Sequence, residues 1–187
     1  YDKNITQTQH AFSTMNMAIQ NSNPQYFQLL AFLHDIGHLI LNESDNNSDF
    51  LEKNLHHELV AYNFLKQYYP EYITKPILHH VYAKRYLCSQ FKPYYDKLSD
   101  SSKKSFHLQG GFLTEYHIKQ FEKKTYFNDA VTLRKYEDES KQKKHNNYDQ
   151  ICKIFGIKYK LSLLLIKTPY PIQVKIIKKN ENIKIIR

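Results

Sequence analysis

The sequence predicts an all-α bundle, on three observations. Apolar residues at 29, 30, 32, 33, 36, 39 and 40 recur with helical spacing, which reads as a largely buried helix. The same period returns in Leu59-Val60-Ala61-Tyr62-Asn63-Phe64-Leu65 and along Ile73, Ile77, His80, Val81 and Lys84. Glycine is scarce, four in 187 residues, which argues against a barrel, a sandwich or a phosphate-cradling glycine loop.

The elements follow in order. Ile5, Ala11, Met15, Met17 and Ala18 place a first helix over 5–20, and Asn21-Ser22-Asn23-Pro24 stops it. The apolar helix through His34 comes next. Residues 42–54 carry few apolar groups and read as a surface loop. Helix returns at His56 and ends near Tyr69-Pro70. Another covers about 71–87, with Pro76 either kinking it or marking its true first turn. Ser99 caps a short helix. Gln109-Gly110-Gly111 breaks the chain, and helix resumes over Thr114–Lys123, about 128–136, and 147–155. From Lys158 the texture turns β-rich, with a hairpin turn at Asn180-Glu181-Asn182. The expected organisation is therefore a helical domain over 1–156 and a basic β-rich tail over 157–187 with no assigned role.

The formal charge is +9, yet the lysines are scattered, with neither zinc-finger spacing nor an RNA-recognition motif. A nucleic-acid partner is disfavoured; such a field equally attracts a small anionic substrate. Cys88 and Cys152 stand far apart, outside any Cys-x-x-Cys spacing, which predicts a reducing, cytoplasmic setting and no cysteine metal site. No apolar run is long enough to span a bilayer and no secretory signal opens the chain. A monomer is expected.

Two histidines, His34 and His38, interrupt the most apolar helix, with Asp35 beside the first. A buried carboxylate is costly unless a cation meets it, and imidazole with carboxylate suits Fe, Zn or Mn. Further candidates come from other helices: His10, His56 or His57, His79 or His80, and the acidic pair Glu137-Asp138. Several helices each sending a ligand inward is how a metal centre is built in a bundle. So many donors exceed the needs of one four-coordinate zinc and suit two metals sharing a bridging carboxylate, with Asp35 the natural bridge.

The order His10…His34-Asp35…His57…His80…acid resembles the HD-domain superfamily. Sharper still are His80-Val81-Tyr82-Ala83-Lys84-Arg85-Tyr86-Leu87, then Tyr95, Leu98-Ser99-Asp100-x-Ser102, Gln109-Gly110-Gly111 and Leu133-Arg134-x-Tyr136-Glu137. Over about residues 1–155 the chain is similar to HD-domain mixed-valent di-iron oxygenases that cleave carbon–phosphorus bonds of organophosphonates, relatives of myo-inositol oxygenase. The resemblance implies two iron ions, Fe(II)/Fe(III), dioxygen as co-substrate, and phosphate released from an α-hydroxylated organophosphonate. It implies His10, His34, Asp35 and Glu137 on one iron, Asp35 bridging, and His57 and His80 on the other. His34, Asp35 and His38 would form the catalytic centre, with His38 turned to the substrate. Lys84, Ser102, Ser105, Gln109 and Arg134 would bind the phosphonate, with Tyr1 near the substrate.

The chain departs from the family pattern at two places. Tyr136-Glu137 stands for Trp-Asp, which leaves Asp138 as an alternative ligand. The Tyr and Glu that meet a substrate amine in some members are out of register, with Tyr1 displaced by one and Lys3 or Asn4 near the Glu position. The His-Asp core alone is shared with metal-dependent phosphohydrolases acting on a nucleotide or phosphate ester, the rival expectation. A degenerate, non-catalytic HD module is the other.

Overall fold

The computed structural model describes residues 6–41 and 55–142. All of them belong to the first of two compact units, Tyr1–Cys152; the second is Lys153–Arg187. Tyr1, the 42–54 loop, the 147–155 helix and the β-rich tail lie outside the described residues. Among the described residues the regular structure is entirely helical, as the sequence predicts.

A capping box opens α1 (Gln7–Gln20): Thr6 Oγ1 accepts from Gln9 N–H while Gln9 Oε1 accepts from Thr6 N–H. It sets His10 one turn into the helix. Next come α2 (Gln25–Leu33) and α3 (Ile36–Ile40). They replace the single helix expected through this region, because the chain turns at His34-Asp35. Asp35 leaves helical geometry there, with φ −100° and ψ 12°, and His34 Nδ1–H donates to Ala31 O at 2.8 Å. His34 and Asp35 therefore sit at an interrupted helix end, and the 100° relation between neighbouring helical residues does not govern them.

The next helix, α4 (His57–Leu65), is followed by the long α5 (Glu71–Gln90). Pro76 lies well inside α5 and does not mark its first turn. A short α6 (Lys92–Asp96), not anticipated in the sequence, begins with Pro93 in its first turn. Ser99 caps α7 (Asp100–Leu108) as expected, and Thr114 caps α8 (Glu115–Glu122). The last among the described residues, α9 (Phe127–Gln142), runs six residues beyond the expected end. Its charged continuation is stabilised where it stands: Arg134 pairs with Glu137 and Asp138, and Lys141 with Glu137, at i,i+3 and i,i+4 spacings.

The centre of the bundle is α5, which packs against α2, α4, α6 and α9; α1 packs on α2 and α9, and α3 on α4. One half of the core joins Ala83, Tyr86 and Leu87 to Leu113, Ile118, Phe121 and Ala130. The ligand candidates are drawn from α1, the α2–α3 break, α4, α5 and α9.

Candidate metal centre

The centre is built around Asp35, which is 5% exposed. Its two carboxylate oxygens divide the imidazoles. Oδ2 lies 3.5 Å from His10 Nε2 and 3.4 Å from His34 Nε2. Oδ1 lies 3.6 Å from both His57 Nε2 and His80 Nε2, and 4.0 Å from His38 Nε2. Glu137 joins the first set: one ligand atom each from His10, His34, Asp35 and Glu137 fall within 4.8 Å of one another. Asp35, His38 and His57 make a second such group.

Hydrogen bonds assign the protons. The Nδ1–H groups of His34 and His80 donate to the carbonyls of Ala31 (2.8 Å) and Ile77 (2.7 Å). Ser140 Oγ–H donates to Glu137 O at 2.7 Å, so at 3.2 Å from His10 Nδ1 it accepts that ring's proton. His57 Nδ1 faces Glu58 Oε2 at 3.6 Å. His10, His34 and His80 thus carry the proton on the outer nitrogen and turn a lone pair inward to Asp35. His57 Nε2 and His80 Nε2 face one another at 3.1 Å, and buried His34 Nε2 has no hydrogen-bond partner. A buried nitrogen lone pair with no donor is costly unless positive charge meets it. The donor set fits a metal, and the outer partners orient it as such ligands are usually oriented.

The metal-free electrostatics agree. Burial resists ionisation of Asp35, but His34, then His38 and His57, hold its carboxyl well below the usual range. Burial opposes a charge on His34, yet the adjacent Asp35 raises its pKa, so a proton settles where a cation would. Burial, then Lys141, push His10 down to about 3. Burial, then His38, hold His57 well below its ordinary value, and burial lowers His80.

Three alternatives left open by the sequence differ in geometry. His57 is in the cluster, whereas the His56 side chain is 59% exposed and its backbone is left-handed, with φ 52°. His80 is in it, whereas His79 accepts from Tyr126 OH at 3.1 Å. Glu137 is in it, whereas Asp138 is held by Arg134 and Tyr94. His38 stacks on His57, ring centroids 3.9 Å apart.

Beside the centre, the α5 residue Lys84 is buried and donates to Ser105 Oγ at 2.7 Å and Gln109 Oε1 at 2.9 Å. Burial, then Arg134 and Lys141, push its ammonium down to about 7. Arg134, also buried, gives NH1 to both Glu137 oxygens (2.8 and 2.9 Å) and Nε to Tyr94 OH at 3.1 Å. Ser102 is not drawn against Lys84: its hydroxyl accepts from Ser99 and its carbonyl from Ser105.

Sequence reasoning missed Gly37, Glu58, Ser140 and Lys141 as supports of the centre. Ser140 and Lys141 lie three and four residues past Glu137, so a longer α9 would have shown them on one face. Glu58 was legible as a carboxylate following a ligand histidine. Gly37 could only be seen in three dimensions: a Cβ there would stand 2.0 Å from His57 O.

A helical bundle with imidazoles and carboxylates gathered about one aspartate defines a candidate metalloenzyme. No family model matches the chain. It is 38% identical over 143 residues to the hydroxymethylphosphonate dioxygenase of Gimesia maris, covering 76% of this chain and 71% of that protein. It is 35% identical over 136 residues to the glycine-betaine-forming 1-hydroxy-2-(trimethylamino)ethylphosphonate dioxygenase of Leisingera caerulea, covering 73% and 68%. An uncharacterised protein of Acanthamoeba polyphaga mimivirus is 33% identical over 141 residues, covering 73% and 63%. The chain belongs to the HD-domain phosphonate oxygenase family. It is an oxygenase, and the non-catalytic alternative gives way. No helix among the described residues is long and apolar enough to cross a membrane.

Proposed function

We propose that the protein is a di-iron oxygenase that cleaves the C–P bond of an α-hydroxylated organophosphonate. One dioxygen is consumed for each phosphate released, and the carbinol carbon leaves as a carboxylic acid. The observation that carries the reading is the set of four imidazole Nε2 atoms divided between the two oxygens of Asp35. His10, His34, Asp35 and Glu137 would hold one iron, and Asp35, His57 and His80 the other. The iron pair, when bound, would supply one-electron activation of dioxygen and open coordination positions, while the four net electrons that reduce dioxygen come from the substrate. The mixed imidazole–carboxylate set suits iron as it suits zinc or manganese, and dioxygen chemistry favours iron among them.

The rest is binding and orientation by side chains. Lys84, with Ser105 and Gln109, offers a charged donor and adjustable polar groups to the phosphonate oxygens. Arg134, next to Lys84 in the field, adds a second buried cation, and an anion between them relieves their repulsion. His38, stacked on His57, would orient the substrate hydroxyl. Ser102 supports this pocket through its carbonyl on Ser105. The names of the two dioxygenase relatives favour a phosphonate with a hydroxyl on the carbon next to phosphorus.

The test is oxygen uptake and phosphate release from hydroxymethylphosphonate by iron-loaded protein. Electron paramagnetic resonance of partly reduced protein should show a coupled Fe(II)/Fe(III) signal. Phosphate release from phosphate esters without oxygen uptake would reject the oxygenase chemistry and restore a phosphohydrolase.

A further inference from the structure

We infer that Arg85 is a positioning residue for the anion pocket: its guanidinium docks the Gln109-Gly110-Gly111 turn on α5 and thereby holds Gln109 against Lys84. The inference rests on the reading of Lys84, Ser105 and Gln109 as the phosphonate pocket.

Three observations carry it. Arg85 Nε donates to Gly111 O at 2.8 Å and NH2 to Gly110 O at 2.9 Å. These are successive carbonyls of the turn that ends α7, so one planar fork meets both. A lysine at this position has no such planar pair of donors. The turn itself is a left-handed helix ending, with φ of 102° at Gly110 and 60° at Gly111. Gly110 N–H returns to His107 O and Gly111 N–H to Phe106 O at 3.1 and 2.9 Å, which satisfies the last carbonyls of α7. The close approach also depends on glycine, because a Cβ at Gly110 would stand 3.0 Å from the Arg85 guanidinium carbon.

The constraint matters because the other ties of α7, Tyr95 OH with His107 Nε2 at 3.1 Å and Lys103 Nζ to Asp96 O at 3.2 Å, run to the short α6 and not to α5. Phe106 is the one residue that α7 buries. Ser105 and Gln109 belong to its last turn and cap, and both meet Lys84. Consecutive residues of α5 thus grip the same turn, Lys84 by its side chains and Arg85 by its main chain. Ser89, one turn beyond Arg85, continues the grip: its Oγ accepts from Leu113 N–H at 2.8 Å. Without the fork, Phe106 still packs, but the carboxamide of Gln109 loses the register that brings it to Lys84.

The test compares Arg85→Met and Arg85→Lys with the iron-loaded wild type, using steady-state kinetics on hydroxymethylphosphonate and inhibition by inorganic phosphate. Arg85→Met should raise KM and the phosphate inhibition constant by about tenfold, the loss expected for a charge-assisted contact, while kcat stays within about threefold. Arg85→Lys should recover less than half of that loss on a logarithmic scale. A lower melting temperature with KM and phosphate inhibition unchanged would overturn the inference, because a merely structural arginine gives that result. So would full recovery by lysine, which would leave only charge. Lys84→Met separates this from failure of the pocket itself. If Lys84→Met leaves KM and phosphate inhibition unchanged, the pocket reading falls; if it abolishes phosphate inhibition while Arg85→Met does not alter it, only the role of Arg85 falls.

Discussion

Replacing Gly37 with alanine tests the site at the place where main chain meets main chain. Gly37 is buried in α3, two residues past Asp35, and its ideal Cβ position is 2.0 Å from His57 O and 2.7 Å from His57 C. Cβ atoms essentially never come within 3.0 Å of a heavy atom, so α3 and the start of α4 must separate by about 1 Å. His57 and Asp35 ride on those two segments, with Nε2 and Oδ1 now 3.6 Å apart. Metal sites tolerate about 0.2 Å in ligand distance, so the displacement is several times what coordination can absorb. Gly37→Ala should therefore lose the ion assigned to His57 and His80 while keeping the one assigned to His10, His34 and Glu137. Metal analysis of purified protein should read about half the wild-type content. Overpacking of about 1–3 kcal/mol should also lower the melting temperature, by about 2–4 °C for each kcal/mol in a chain of this size. A variant with the full metal complement and wild-type kinetics would refute the claim that this contact sets the distance between His57 and Asp35.

Lys84 gives a pH dependence. Its folded-state pKa of about 7 lies below the ordinary 10.5, so Lys84 is cationic below neutrality and loses its charge above it. Inhibition by sulfate, which does not itself titrate there, should weaken by about tenfold between pH 7 and 9 and be flat in Lys84→Met. The unfolded chain keeps that proton up to the ordinary value, so through this group anion-free stability rises with pH between the two. The ligand assignments predict a contrast measured by metal analysis: Glu137→Gln and His57→Ala each lower metal content, whereas Asp138→Asn and His56→Ala do not. Asp138→Asn should still destabilise the fold by about 1–3 kcal/mol, because it weakens the acceptor of buried Arg134; denaturant unfolding reads that loss.

Much of this was legible without coordinates, for local reasons. Helical periodicity, Thr, Ser and Pro at helix starts, and scarce glycine determine an all-α chain, because side-chain spacing and backbone freedom are properties of short segments. The residue types at His10, His34, Asp35, His56 or His57, His79 or His80, and Glu137 or Asp138 suggest metal-ligand chemistry, whereas an anion pocket at Lys84, Gln109 and Arg134 was implied only by the family resemblance. Tertiary structure decided what depends on contacts distant in sequence. It broke the His34 helix at Asp35, and it turned His57 rather than its neighbour His56 toward Asp35. It extended α9 through paired charges that look like a helix end when read alone. It made Gly37 obligatory, since a missing Cβ acquires meaning only when another backbone lies where that atom would be.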